Sequence, residues 1–235
     1  MDNFKHIYFF GCSFTREEDS PTGYEFINFR KIIEDKYKSN FHNRSKSGKS
    51  NQEIINDVYN QVHFSKLESD KLFVIQTTFL HRFGLYSDIT DSFVSLCKRE
   101  NPQNFRENVL IDFYNKWLEY FYNKKTAILE FKKQINLISA YLRENNIDFI
   151  YVGIDELLDV IEDPDFFEKN NFLNFDENKY SFYNYATLNK LRIVDIVKSN
   201  VEDYHFNKDG HSILAEKILD KINNLACHAP PNGRT

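Results

Sequence analysis

The sequence predicts an α/β fold, a three-layer sandwich with a mostly parallel central sheet between layers of helices. Three observations carry the prediction. Short apolar runs recur at residues 4–10, 71–78 and 147–154, each rich in β-branched or aromatic side chains. Segments of helical spacing separate them, and strands alternating with helices pack as a mostly parallel sheet covered on both faces. The 235 residues are 41% hydrophobic, enough for one sizeable core.

The first run, "FKHIYFF", stops at Gly11 and reads as a buried strand. Residues 24–37 carry Phe26, Phe29, Ile32 and Ile33 at helical spacing. "NFHNRS" follows as a weak strand. Next, "SNQEIINDVYNQV" reads as a helix opened by Ser50 or Asn51, with Ile54, Ile55, Val58 and Val62 on one face. "KLFVIQTT" is the third strand. Alternation then lapses. Residues 79–107 are polar and irregular, and residues 108–144 read as one long or broken helix, so a helical, aromatic insertion over 79–146 is expected after the third strand. "IDFIYVGI" is a strand of strong β-propensity. An acidic, aromatic loop precedes "LRIVDIV", a candidate last strand, and residues 209–225 form a closing helix with Leu214, Ile218, Ile222 and Leu225 inward. The expectation is one domain over residues 1–226 and a frayed tail at 227–235.

Composition excludes several classes. Lys plus Arg total 30 against 35 for Asp plus Glu, a net charge of -5, so nucleic acid is not an expected partner. The opening "MDNFKHIYFFGCSF" has neither a basic leader nor a small-residue cleavage site, and no run approaches a membrane span. Cys12, Cys97 and Cys227 are odd in number and far apart, which argues against a disulfide framework and CxxC metal chemistry. A cytoplasmic protein without metal or cofactor is the expectation; oligomeric state is not legible. With seven glycines in the chain, each has a positional reason to be sought, Gly11, Gly48 and Gly210 first.

In parallel sheets, functional residues gather at the carboxyl ends of the strands. One such place is "HNRSKSGKSNQEI", residues 42–54, whose Gly48-Lys49-Ser50 has the form of a P-loop end. The first P-loop glycine falls on Asn43, however, and only the tripeptide remains. "FIYVGIDE" ends an apolar strand in Asp155-Glu156, as a magnesium-binding motif would, although a turn or cap is the commoner duty of such an acid. A P-loop-like NTPase is therefore the lesser alternative. A second constellation is fuller. "FFGCSFT" sets Ser13 just past the first strand, and "VEDYHFNKDGHSILAEKIL" sets an acid and His205 before the last helix. A serine needs a base to take its proton, and the base needs a group to fix its tautomer.

With these blocks the chain resembles the SGNH, or GDSL-like, hydrolase superfamily, in the branch whose first block reads Gly-Cys-Ser-Phe-Thr. Here that block is Gly11-Cys12-Ser13-Phe14-Thr15; "NRSKSGKSN" supplies the second-block Gly48, and "DYHFNKDGHSILA" the last. The resemblance implies a flavodoxin-like sandwich, Ser13 as nucleophile and His205 as general base. It implies Asp203 as the orienting carboxylate, with Glu202, at the commoner spacing, the alternative. The oxyanion hole would use the backbone N–H groups of Ser13 and Gly48 and an asparagine from a Gly-x-Asn-Asp block. This chain instead reads "VIQTTFLHRF". Thr78, or Thr77 beside it, is the expected substitute, Arg82 is placed to meet an anionic substrate or to pair with an acid, and Asn51 is within reach but expected to cap its helix. Cys12 is expected to be buried facing away from Ser13, His211 to be structural and Lys49 to be an ordinary loop charge. The implied activity is that of a serine esterase or acyltransferase on a small O-acyl group, O-acetyl among them. Aromatic residues make up 16% of the chain, which suits a glycan ester as substrate. A non-catalytic carbohydrate-binding protein on the same fold is the alternative that the absent asparagine favours.

Overall fold

The computed structural model describes residues 4–15, 28–64, 70–87, 92–96, 105–193 and 205–227. In chain order the elements are β1 (His6–Phe10), α1 (Phe29–Lys36), β2 (Asn40–Asn43), α2 (Asn51–Phe64), β3 (Lys71–Gln76), β4 (Phe83–Ser87) and β5 (Ser92–Leu96). There follow α3 (Phe105–Tyr120), α4 (Lys124–Glu144), β6 (Asp148–Val152), a 3₁₀ turn (Glu156–Val160), α5 (Pro164–Lys169), α6 (Phe182–Leu188) and α7 (Lys208–Cys227).

Four strands form a parallel sheet in the order β2-β1-β3-β6. His6 stands between Asn40 and Lys71, and Leu72 pairs with Asp148. Because successive strand residues point to opposite faces, the apolar runs feed two cores. Ile7, Phe9, Leu72, Val74, Ile150 and Val152 pack with Phe29 and Ile33 of α1 and Leu214 and Ile218 of α7. Tyr8, Phe10, Phe73, Ile75, Phe149 and Tyr151 pack with Ile54 and Val58 of α2 and Ile135 and Leu142 of α4. Every residue of β3 is buried, which is why its sequence shows a continuous run and no alternation.

Local chemistry fixes the helix starts. Ser50 and Glu53 form a capping box at α2: the Glu53 N–H donates to Ser50 Oγ at 3.4 Å, and the Ser50 N–H to the Glu53 carboxylate at 3.0 Å. Asn207 caps α7 by accepting the Gly210 N–H at 2.9 Å. The long helical stretch is broken at residues 121–123, where the Asn123 side chain accepts the N–H groups of Lys125 and Thr126 and starts α4 afresh.

Three expectations need correction. The stretch 79–107 is not wholly irregular: β4 and β5 pair antiparallel, Phe83 opposite Leu96 and Leu85 opposite Val94, so the insertion holds a hairpin besides its helices. Each strand has five residues and includes Gly or Ser, too short and too β-poor for a period-two signal to stand out. The acidic, aromatic loop carries the 3₁₀ turn, α5 and α6, capped by Asp155, Asp163 and Ser181; at five to seven residues each they do not complete two helical turns. In "LRIVDIV", the described residues 191–193 make one antiparallel bridge, Arg192 to Phe206, and residues 194–197 lie outside the described residues. Of the expected tail, Cys227 still ends α7 and 228–235 lie outside the described residues. Among the described residues no helix is long and apolar enough to cross a membrane.

Candidate functional site

A strand order of 2-1-3 sends the chain from β1 to opposite faces, and ligands of such sheets bind in the crevice this opens at the carboxyl ends of β1 and β3. Two segments flank that crevice: the turn at residues 11–15 and the pair Thr77–Thr78.

The turn is closed by the Thr15 N–H on the Cys12 carbonyl at 3.1 Å. It rests on Gln76, the last residue of β3, whose Oε1 accepts the Thr15 hydroxyl at 2.7 Å and whose Nε2 donates to the Thr77 carbonyl at 2.6 Å. A Cβ on Gly11 would meet Thr15 Oγ1 at 2.4 Å and Gln76 Oε1 at 2.9 Å, so the glycine is what allows the turn to sit down on β3. Cys12 is fully buried with Sγ 3.4 Å from Gln76 Nε2. Ser13 alone among residues 11–15 is not buried. Sequence reading placed the serine and the cysteine but missed Gln76; the available signal was a lone amide ending an otherwise apolar strand.

The loop after β2 is tied to the same place. The Arg44 N–H donates to the Phe9 carbonyl at 2.8 Å and the Lys46 N–H to the Gly11 carbonyl at 3.1 Å. Gly48 has φ of +79°, a conformation that side chains resist. Lys49 donates to the Arg44 carbonyl at 2.9 Å and pairs with Asp57 on α2. Asp155 accepts the Leu157 N–H at 2.7 Å and also the Leu80 N–H, and burial pushes its carboxyl up. Both residues that suggested a nucleotide site thus have structural duties.

Thr78 is fully buried. Its N–H donates to Asn51 Oδ1 at 2.8 Å and its carbonyl accepts Asn51 Nδ2 at 2.9 Å. Asn51 therefore does not cap α2, as the sequence suggested; Ser50 does, and the Asn51 amide clasps the end of β3. The Thr78 hydroxyl accepts a hydrogen bond from Arg82 Nη1 at 3.1 Å, which leaves its own proton to give.

On the other side of the turn, residues 205–207 run antiparallel to 191–193. The Ile193 N–H donates to the His205 carbonyl at 2.9 Å and the Asn207 N–H to the Leu191 carbonyl at 2.8 Å. The His205 ring lies 4.6 Å from that of Phe14, the neighbour of Ser13, and Phe206 lies 4.9 Å from Phe14. The Ser13 turn and the His205 segment are thereby in contact. His211, one turn into α7, is buried and accepts the Phe29 N–H at Nδ1, 3.3 Å away. Burial, and after it the neighbouring His205 imidazole, lowers its pKa to about 3, so the ring is the neutral acceptor this bond requires. Asp203 and Glu202 lie outside the described residues. Among the described residues no group of three or more His, Cys, Asp or Glu is placed to hold a metal ion.

No protein-family model matches the chain, and no curated protein matches it. Solved structures do. An alpha/beta hydrolase enzyme from the metagenome of Lake Arreo, Spain, aligns over 94% of this chain and 96% of its own, at 12% identity and a TM-score of 0.52. The psychrotrophic esterase EstA from Pseudoalteromonas sp. aligns over 95% and 100%, at 10% identity and a TM-score of 0.47. A member of the lipolytic protein G-D-S-L family from Veillonella parvula aligns over 92% and 96%, at 18% identity and a TM-score of 0.37. The first of these likenesses shows the class of fold: a mostly parallel α/β sandwich like that of the Lake Arreo enzyme.

Proposed function

We propose that the chain is an SGNH/GDSL-like serine esterase or acyltransferase that works through an acyl group on Ser13. The observation that carries the reading is the packing of Phe14 on His205, which supports a serine and a histidine from opposite ends of the chain meeting at one sheet edge. In this reading His205 takes the Ser13 proton as Oγ attacks the ester carbonyl, and Asp203 holds the imidazole in the tautomer that accepts it, Glu202 being the alternative. The oxyanion is met by the N–H groups of Ser13 and Gly48 and by the Thr78 hydroxyl, whose proton Arg82 leaves unengaged. Collapse expels the alcohol with the proton from His205. Water then releases the acid, or a second alcohol takes the acyl group, and the two outcomes share the acyl-Ser13 intermediate.

The substrate we infer is a small O-acyl ester, acetyl among the acyl groups, on a sugar or other small molecule. Turnover of p-nitrophenyl acetate by wild type and Ser13→Ala tests the assignment. A drop of about 10³-fold or more is expected. Equal rates would remove Ser13 as nucleophile. No turnover, together with no labelling of Ser13 by a fluorophosphonate, would favour a binding protein on the same fold.

A further inference from the structure

Asn51 and Arg82, the two residues that hold Thr78, also line a cavity of about 170 Å³ between the start of α2, the segment after β3 and the junction of α3 with α4. One part of its lining is aromatic: Trp117 lies 4.1 Å from Phe83 and 5.5 Å from Tyr122, ring centre to ring centre. Another part is polar and incompletely paired. Arg82 Nε and Gln52 Oε1 are buried, and neither has a hydrogen-bond partner among the described residues. Buried polar groups are nearly always paired, and here an orphan donor and an orphan acceptor belong to two residues that line one cavity, where a small turn of either side chain would bring it to a ligand that supplies the partner. The Arg82 guanidinium rests over the Phe79 ring at 5.0 Å and on Thr78 Oγ1, and among the described residues it forms no ion pair. Glu130, the carboxylate in the lining, is paired with Lys133 at 2.8 Å.

We propose that this cavity binds an acidic sugar, a single pyranose ring bearing a carboxylate. The ring lies against Trp117, the carboxylate takes the Arg82 guanidinium, and a ring hydroxyl donates to Gln52 Oε1. Each part follows from one feature of the wall. Aromatic faces receive the C–H faces of sugar rings. A guanidinium fork matches a carboxylate. An unpaired amide oxygen needs a donor, and a hydroxyl is one. A neutral sugar would leave Arg82 with no carboxylate in direct contact, only the more distant charge of Asp155, and an aromatic carboxylate would leave Gln52 without its donor. The volume is below the roughly 300–1,000 Å³ of pockets for drug-sized ligands, which fits one ring and not a chain. That this sugar is the alcohol portion of the ester rests on the esterase reading above; the binding itself does not.

Trp117 is the one tryptophan of the chain, so its fluorescence reports on this cavity. Wild type and Ser13→Ala are titrated with glucuronate, glucose and benzoate. Glucuronate is expected to give a saturable change in both proteins, with glucose and benzoate weaker by about tenfold or more, the factor expected for one lost polar contact. Arg82→Gln should erase the preference for glucuronate over glucose, and Arg82→Lys should keep part of it. Gln52→Leu should weaken glucuronate binding about tenfold with an unfolding temperature equal to wild type or higher, since it removes an unpaired buried acceptor. The proposal is overturned if glucuronate fails to saturate, if glucose or benzoate binds as well, or if Gln52→Leu lowers the unfolding temperature and leaves affinity intact. Loss of Ser13-dependent turnover with glucuronate binding preserved would remove the esterase reading alone.

Discussion

The clasp between Asn51 and Thr78 gives the most direct test of how the site is held. Asn51→Ala deletes two hydrogen bonds, at 2.8 and 2.9 Å, and leaves the Thr78 N–H and carbonyl facing nothing in a segment where Thr78 is fully buried and Asn51 only 5% exposed. Each buried group left unmade costs about 1–3 kcal/mol. The adjoining cavity admits water to part of the gap, so the sum is set at about 2–4 kcal/mol, below the simple maximum. For a chain of this length that is a fall of roughly 5–15 °C in unfolding temperature, measured by thermal melting or urea titration. Asn51→Asp should fall between the two proteins near neutral pH: it keeps an acceptor for the Thr78 N–H but sets a carboxylate oxygen against the Thr78 carbonyl. A loss under about 1 kcal/mol in Asn51→Ala, or an Asp variant less stable than the Ala variant, would refute the claim that the amide holds this strand end by both of its polar atoms.

Gly48→Ala puts a Cβ where nothing lies within 4 Å, so its cost is backbone strain alone, about 1–2 kcal/mol, and Gly48→Asn should cost less; both should slow ester turnover, by up to about 10²-fold if the N–H is displaced from the oxyanion. His211 and His81 have folded pKa values lowered to about 3 and about 4 by burial. Each binds its proton more weakly folded than unfolded, so both favour folding above about pH 6.5 and lose that contribution as pH falls toward 4 and 3, at up to about 1.4 kcal/mol per pH unit per histidine. Urea midpoints at pH 7.5 and 5 should show the drop, and a smaller one in His211→Gln. Lys49→Ala removes a partly buried pair with Asp57 and is expected to cost about 1 kcal/mol with ester turnover retained; magnesium-dependent nucleotide binding lost in this variant would restore the phosphate-loop reading.

The strands of the sheet were legible because each side of β1, β3 and β6 is buried and writes itself into the sequence as an uninterrupted apolar run. The start of α2 was legible for a local reason, since Ser50 and Glu53 meet across three positions. What escaped is non-local or short. Thr15 and Gln76 are 61 positions apart and Asn51 and Thr78 are 27, so neither pair leaves a pattern along the chain. The β4–β5 hairpin and the helices after β6 are too brief for periodicity to separate from loop. The cavity draws its lining from α2, α3, α4 and the segment after β3, and no single stretch announces it. The positions of Ser13 just past β1, Gly48 in the loop after β2 and His205 just before α7 were legible, while the choice between Asp203 and Glu202 turns on residues outside those described.

The two-sided core has an evolutionary consequence. Cys12, Phe14 and Phe206, which seat the serine turn against the histidine segment, belong to the core shared with α1 and α7. Ile54, Leu80 and Phe131, which back the cavity, belong to the core shared with α2 and α4. The sheet stands between them as a firewall. A lineage is free to exchange the hairpin and helices of the insertion, and with them the lining of the cavity, while Cys12, Phe14 and Phe206 keep the packing that joins the Ser13 turn to the His205 segment.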